Sequence, residues 1–289
     1  MTVVTHARHD SAQEINIAYL RHVRPVPYGR ILSVAIIVLI AAFLIYSFAK
    51  GQINWAVTGQ YLFWPAIMMG LFNTIWMSIV CMAIGTAIGL VCAIARDSPN
   101  PVIRSASIFY TWFFRGAPLI LQLLIWFNLA LIFPKLSLFG FFEVRTVHVI
   151  TPEVAAILGF GLNSGAYASE ILRAGLLSVD RGQFEAAKAI GMTQATALRR
   201  IVIPQAMRTV LPPLGNEFIS MIKMTSLASI IGFSDLLRSV QNIYFVNTRV
   251  MELLMVATVW YLVVVTVLTF FQQILERRFG RGFGRSAYR

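Results

Sequence analysis

The sequence predicts an all-α membrane protein, and two observations carry this prediction: the composition of the chain and the length of its apolar runs. Of the 289 residues, 58% are hydrophobic and 12% are charged, whereas a soluble domain has about 25% charged residues. The apolar residues form long runs and do not follow the three-to-four spacing of a half-buried helix. Such a chain lacks the polar surface that facing water on all sides requires, so we expect a polytopic helical membrane protein.

Six apolar runs predict six membrane helices, because a helix needs about 20 residues to cross about 30 Å of hydrocarbon. The first run only just meets this length and the second exceeds it, so we expect the second helix to tilt or to protrude. The runs cover residues 31–49, 65–95, 107–133, 152–178, 207–232 and 251–275.

Lysine and arginine predict the orientation of these helices. With the N-terminus inside, 16 basic residues fall in cytoplasmic segments and five in outer segments, and basic residues accumulate on the cytoplasmic side of membrane proteins. Both termini are therefore predicted to be cytoplasmic. The net charge of +12 then reflects orientation and contact with membrane lipids, and not nucleic-acid binding, because the basic residues lie between the apolar runs and at the chain ends.

The connecting segments carry further expectations. Residues 96–101 contain two prolines, which forbid helix continuation, and they predict a short cytoplasmic turn. Residues 134–150 are expected to form an outer loop, and the amphipathic residues 233–250 a short helix along the outer face. No internal repeat is visible in the sequence, although an inverted-repeat secondary transporter would be expected to show one.

The largest polar interruption lies between the fourth and fifth apolar runs, on the predicted cytoplasmic side. Asp180 and Gln183 form a capping-box arrangement, in which the carboxylate accepts from first-turn amides and the glutamine returns a bond. We expect a short helix that ends at Gly191, because glycine adopts the left-handed conformation at low cost. Thr193 is expected to cap a second helix, which stops at Pro204 because proline lacks an amide N–H.

The first of these helices is built to let another protein approach. Ala186, Ala187 and Ala189 are small, and Glu185 and Lys188 supply polar groups beside them. The residues alone leave open an ordinary surface helix hairpin.

The segment resembles the signature loop of importer permeases of the ATP-binding-cassette (ABC) superfamily: Glu-Ala-Ala, three residues, Gly, nine residues, then Ile-x-Leu-Pro. One position departs, Ile203 in place of leucine, which conserves volume. In that family the loop is a coupling helix, which sits in a cleft of a separate ATPase subunit. The resemblance implies a rigid two-state element here, with the coupling residues Glu185, Ala186, Ala187, Gly191, Ile201 and Pro204.

Three more segments resemble the polar amino-acid subfamily of these permeases, which includes transporters of histidine, glutamine, arginine, glutamate and opines. They are residues 114–119 with Gln122, residues 165–170, and residues 212–218 with Lys223 and residues 225–227. The resemblance implies a type I ABC importer fold with a five-helix core plus one N-terminal helix. The predicted organisation is a cytoplasmic polar N-terminus (1–30), an extra first helix with its outer loop (31–64), a permease core (65–275) with coupling helices at 180–204, and a basic cytoplasmic tail (276–289).

The resemblance also implies the partners and the location. The chain would work in the bacterial cytoplasmic (inner) membrane beside a second permease subunit, identical or homologous, with two ATPase subunits inside and a periplasmic or lipid-anchored solute-binding protein outside. ATP and Mg²⁺ would be bound by the partner ATPase, because this sequence has no Gly-x-x-x-x-Gly-Lys-Ser/Thr run. We expect no cofactor on this chain and no covalent chemistry.

Polar side chains inside the apolar runs are candidates for a translocation path, because charges there cost about 2.5–3.5 kcal/mol each and usually face a partner or water. On the fourth and fifth helices they recur at helical spacing and would form two stripes. A path that carries both signs of charge suits a zwitterion. The pattern leaves open that the charges pair only to orient the helices. The candidates are Arg115, Gln122, Asn163, Tyr167, Glu170, Asn216, Glu217, Ser220, Lys223 and Ser226.

Two other classes of function are weighed against an importer. An intramembrane enzyme is disfavoured, because all four histidines lie outside the predicted helices and Ser164 has no base. The four aspartates are scattered, and Cys81 and Cys92 match no metal or redox motif, so no metal site is predicted. A secondary transporter or channel for a small polar solute would use the same polar stripes but would not need the cytoplasmic hairpin, and it stays the alternative.

Overall fold

The computed structural model describes residues 28–138 and 142–279. These residues divide into one unit that ends at Ile53 and a second that begins at Asn54. The first unit holds helix α1 (Tyr28–Lys50), which matches the predicted first membrane helix and buries none of its residues. Most of the predicted polar N-terminus, and all but the start of the basic tail, lie outside the described residues.

The second unit is helical apart from one small hairpin. Two strands follow the sixth helix, a π-helical turn (Leu198–Val202) joins α10 to α11, and a 3-10 segment (Thr225–Ile231) follows α11. The elements are α2 (Trp55–Tyr61), α3 (Pro65–Arg96), α4 (Pro101–Gly116), α5 (Leu119–Phe127), α6 (Leu129–Ile132), β1 (Lys135–Leu138), β2 (Phe142–Arg145), α7 (Thr146–Val149), α8 (Pro152–Leu177), α9 (Arg181–Ala189), α10 (Gln194–Ala197), α11 (Ile203–Met224), α12 (Leu236–Asn247) and α13 (Val250–Phe279).

Helices α3 and α8 pack together with their backbones in close approach. A Cβ on Gly85 would lie 2.7 Å from Ser164 Cβ, and one on Gly89 would lie 2.7 Å from Ala168 Cβ. Both distances are shorter than real Cβ contacts allow, so glycine is needed at each position. Small residues of this kind are typical of helix contacts in membranes, where van der Waals packing drives association.

The predicted third membrane helix, residues 107–133, is wrong in its shape. The structure begins this helix earlier, at Pro101, and ends it at Gly116, and α5 then leaves at an angle of 101°. Pro118 is the reason, because it cannot donate the hydrogen bond that would continue α4 and it restrains the residue before it to extended backbone. Ala117 has that extended conformation, with φ −84° and ψ 137°.

The predicted outer loop at residues 134–150 contains a two-stranded antiparallel hairpin, so the all-α prediction missed two short strands. Lys135 lies opposite Arg145 in this hairpin. The Lys135 ammonium is 2.8 Å from a Glu143 carboxylate oxygen, and this hydrogen bond lowers the pKa of Glu143 below its usual value.

The short helix expected within residues 233–250 is present as α12. Asp235 caps it, and the Thr74 hydroxyl oxygen of α3 accepts a hydrogen bond from the Leu236 amide at 3.0 Å. Leu236 and Val240 pack into a core cluster with residues of α3 and α13. One face of the helix therefore packs against α3 and α13. Its predicted place along the outer face of the membrane stays a prediction.

Among the described residues, three helices are long and apolar enough to cross a membrane: α1, α3 and α13. Two bent pairs raise this number to five, namely α4 with α5, and residues 194–231 with α12. Helix α8 agrees closely with the predicted span 152–178, but its glycine, serine and charged residues keep it out of this set. The predicted count of six therefore stays a prediction.

Candidate functional site

Helix α9 begins and ends at the residues that the sequence predicts. Asp180 Oδ1 accepts a hydrogen bond from the Gly182 amide at 2.8 Å, and Gly191 has the left-handed φ of +78° that closes the helix. The predicted return bond from Gln183 to the backbone is not formed. Its Oε1 instead accepts from Gln205 Nε2 at 3.2 Å, which ties α9 to the start of α11.

The second helix does not stop at Pro204, and this prediction is wrong. Thr193 caps it as expected, accepting from the Thr196 amide at 3.3 Å. The chain then passes through the π-helical turn directly into α11, with Pro204 in the first turn of that helix. A wider π turn relieves the clash between the proline ring and the preceding turn, so the helix continues where an α-helix would break.

A small apolar core fastens α9 to the two helices beside it. Ala187 is the only residue of α9 that is buried, at 1% exposure. Val179, Val202 and Ala206 form the buried cluster, and the half-buried Phe184 and Leu198 pack against it. These residues come from the turn after α8, from α9, from the π turn and from α11. We call this assembly, residues 176–210, the coupling block.

The opposite face of α9 is free. Glu185, Ala186, Ala189 and Ile190 are exposed, and Ile190 is 76% exposed although it is a large apolar side chain. Exposed apolar groups beside charged ones are typical of surfaces that bind other proteins. The block thus presents an open surface on one side and is packed against its own chain on the other.

The second feature is a cluster of charges where α3, α4 and α8 meet. Glu170 forms ion pairs with Arg96, at the end of α3, and with Arg115, at 3.5 Å. The Arg115 guanidinium also lies over the Tyr167 ring, 5.2 Å from its centroid. Both ion pairs agree with the alternative that the sequence leaves open, in which the charges pair with one another to orient the helices. Arg96 is a member of the cluster that the sequence did not indicate, because its position predicts a cytoplasmic turn.

Two predicted path residues, Gln122 and Asn163, lie at the break between α4 and α5. Both donate to the Phe114 carbonyl, Gln122 Nε2 at 3.0 Å and Asn163 Nδ2 at 2.7 Å. Gln122 Nε2 also donates to the Ala117 carbonyl at 2.9 Å. These amides replace the donors that the broken helix lost, so they hold the end of α4, and Arg115 with it, in place.

The candidates on α11, and Ser226 in the 3-10 segment that follows it, are separate from this cluster. Asn216 and Lys223 are exposed, while Glu217, Ser220 and Ser226 are half-buried. Within the described part of the chain, neither Glu217 nor Lys223 forms an ion pair. In the same part, no three His, Cys, Asp or Glu side chains come together to hold a metal ion.

Comparisons with known proteins agree with each other. Residues 85–281 match the family model described as "Binding-protein-dependent transport system inner membrane component". The chain is similar to the arginine transport system permease protein ArgU of Corynebacterium glutamicum, at 37% identity over 89% of this chain and 82% of that one. It is also similar to the L-cystine transport system permease protein TcyB of Bacillus subtilis, at 39% identity over 77% of this chain and 90% of that one.

A solved structure extends the likeness to three dimensions. The crystal structure of an amino acid ABC transporter with histidines contains a chain that superposes with a TM-score of 0.68 at 33% sequence identity. The match covers 78% of this chain and 99% of that one.

Proposed function

The chain belongs to the binding-protein-dependent transport system inner membrane component family, and from this premise we propose that it carries a polar amino acid into the cytoplasm as the permease subunit of an ABC importer. The predicted family and fold class are confirmed by the family match and the shared fold. The chain is a multi-pass protein of the inner membrane. The family is one of non-catalytic membrane subunits, so the energy for transport comes from a partner.

The coupling block is the observation that carries this proposal. A free face on α9 offers a partner a surface, while Ala187, Val202 and Ala206 are at most 3% exposed and join that surface to the π turn and to α11. Because a close-packed core transmits displacement with little compression, a force on α9 would move α8 and α11 together. A secondary transporter or channel has no need of such a device.

The charge cluster around Glu170 supports a zwitterionic cargo. The side chains of Arg96, Arg115 and Glu170 are 25%, 44% and 30% exposed, and together with Tyr167 they line one pocket. An ammonium group finds a carboxylate there, and a carboxylate finds two guanidinium groups. The names of the relatives, which specify arginine and L-cystine, support amino acids as the class of cargo.

The family implies ATPase and substrate-binding partners. Beyond this, we propose two ATPase subunits, a second permease subunit, and a solute-binding protein on the outer face, with both chain termini in the cytoplasm. ATP and Mg²⁺ would bind to the ATPase subunits.

The test is uptake of radiolabelled arginine, cystine, glutamine and histidine by cells that express the chain with its co-encoded partners. Glu185→Ala should reach the membrane at the normal level but abolish uptake, whereas Glu153→Ala, at an exposed glutamate of α8, should leave uptake unchanged. Normal uptake by Glu185→Ala would end the coupling assignment. Uptake that survives inactivation of the ATPase would favour the secondary transporter or channel.

A further inference from the structure

Helix α11 contains a weak point directly after the coupling block. Pro212 and Pro213 lie inside the helix, and neither has an N–H, so the carbonyls of Arg208 and Thr209 lose their helical donors. Bends in helices concentrate at such positions. The helix is therefore easier to bend here than on either side.

The segment before these prolines is fixed to α8. A Cβ on Gly175 would lie 2.1 Å from Val210 Cγ2, which shows how closely α8 and α11 approach. The Ser178 hydroxyl also lies 3.1 Å from the Thr209 hydroxyl. The part of α11 up to Val210 should therefore move with the coupling block. How much of that movement reaches the rest of α11 depends on bending at Pro212 and Pro213.

One side chain of α13 contacts this weak point. Gln272 Nε2 donates to the Pro212 carbonyl at 3.2 Å and to the Glu276 carboxylate at 2.9 Å. A Cβ on Gly215 would lie 3.2 Å from Gln272 Cγ and Cδ. The missing side chain of Gly215 thus makes the slot in which the amide lies, and Glu276, one turn along α13, orients it.

We propose that Gln272 is a positioning residue that fastens α13 to the Pro212–Pro213 break, so that the inner part of α13 follows the coupling block. One amide nitrogen bridges a carbonyl of α11 and a carboxylate of α13, which an apolar side chain of the same size cannot do. Its oxygen is buried and has no hydrogen-bond partner in the described structure, so both polar contacts of the side chain are made by its nitrogen. The proposal rests on the proposed function, because it assumes that the partner ATPase moves the block.

The experiment is hydrogen exchange on the assembled transporter in lipid nanodiscs, with and without ATP and vanadate. Gln272→Leu removes the amide at similar volume, and Gln273→Leu makes the same change at the exposed neighbouring residue. Loss of the hydrogen bond should speed exchange at residues 214–218 by about two- to tenfold. In Gln272→Leu the ATP-dependent change in exchange rate at residues 268–276 should vanish, while the change at residues 203–210 should persist. Gln273→Leu should show both changes, as the wild type does.

The outcomes separate the two proposals. If the wild type shows no ATP-dependent change at residues 203–210, the proposed coupling function fails. If that change is present and Gln272→Leu keeps the response of residues 268–276, the role of Gln272 is refuted.

Gly215→Ala gives a second, independent measurement. Alanine raises helix propensity, so without the contact to Gln272 the substitution should slow exchange in α11. With that contact, the new Cβ would lie 3.2 Å from Gln272 and push its side chain by a few tenths of an ångström, which should weaken the hydrogen bond and offset the slowing. In the Gln272→Ala background, where the slot is empty, Gly215→Ala should slow exchange. Equal slowing in both backgrounds would overturn the proposal.

Discussion

Replacing Asn163 and Gln122 by leucine, separately and together, tests whether their amides hold the break between α4 and α5. The Phe114 carbonyl has no helical donor, because the residue four positions later is Pro118. It accepts instead from Gln122 at 3.0 Å and from Asn163 at 2.7 Å. Each single substitution leaves this carbonyl with one donor, and the double substitution leaves it with none.

The expected magnitudes follow from the number of bonds. One lost hydrogen bond costs about 0.5–1.5 kcal/mol, so Asn163→Leu should lower the free energy of unfolding by about 1 kcal/mol. Gln122→Leu also loses the bond to the Ala117 carbonyl and should cost about 2 kcal/mol. A buried polar group left without any partner costs about 1–3 kcal/mol. The double variant should therefore exceed the sum of the singles by at least about 1 kcal/mol.

The assay is denaturant unfolding of the four proteins in detergent micelles, analysed as a double-mutant cycle. Asn128→Leu serves as the control, because Asn128 is exposed and its Nδ2 bonds to the Leu124 carbonyl at the surface, so its cost should stay below about 0.5 kcal/mol. Additivity of the two buried substitutions within about 0.5 kcal/mol would refute the idea that both amides serve one carbonyl.

Three further substitutions test other parts of the fold. Gly89→Leu should destabilise the protein by more than about 2 kcal/mol in the same unfolding assay, because even its Cβ would meet Ala168 at 2.7 Å. A wild-type midpoint would contradict the close contact of α3 and α8. Gly191→Ala should cost about 1–2 kcal/mol, because Gly191 has a left-handed φ, and it should speed proteolysis of residues 180–204. Unchanged proteolysis would argue against the turn. Glu170→Gln should cost about 1 kcal/mol, because its ion pairs are partly exposed, and it should reduce amino-acid uptake. Normal uptake would remove Glu170 from the path.

The sequence predicted helix ends well where local chemistry decides them. Asp180 and Thr193 cap the starts of α9 and α10, and Gly191 closes α9, as predicted. Each acts only on neighbouring backbone groups. The long apolar helices α3 and α13 follow in the same way from the length of their runs.

Features that depend on tertiary contacts could not be predicted in this way. Apolar composition is continuous across residues 107–133, so it does not reveal the 101° bend, although Pro118 was a usable signal. Pro204 indicates a helix end in isolation, but the packing of Val202 and Ala206 favours a π turn that carries the helix through it. Arg96 meets Glu170 because α3 packs closely against α8, and the sequence does not reveal that contact.

The contact between α3 and α8 has a practical consequence for measuring motion in this protein. With glycine at 85 and 89, the two backbones are in close contact. Between them there are no side chains whose rearrangement could let one helix slide along the other. The pair moves as one body, and spin labels or fluorophores on its exposed sides would report the displacement of elements outside the coupling block relative to it. If α4 or α11 carried the reference label, each measured distance would also contain the bending of that helix at the break beside Pro118 or Pro212.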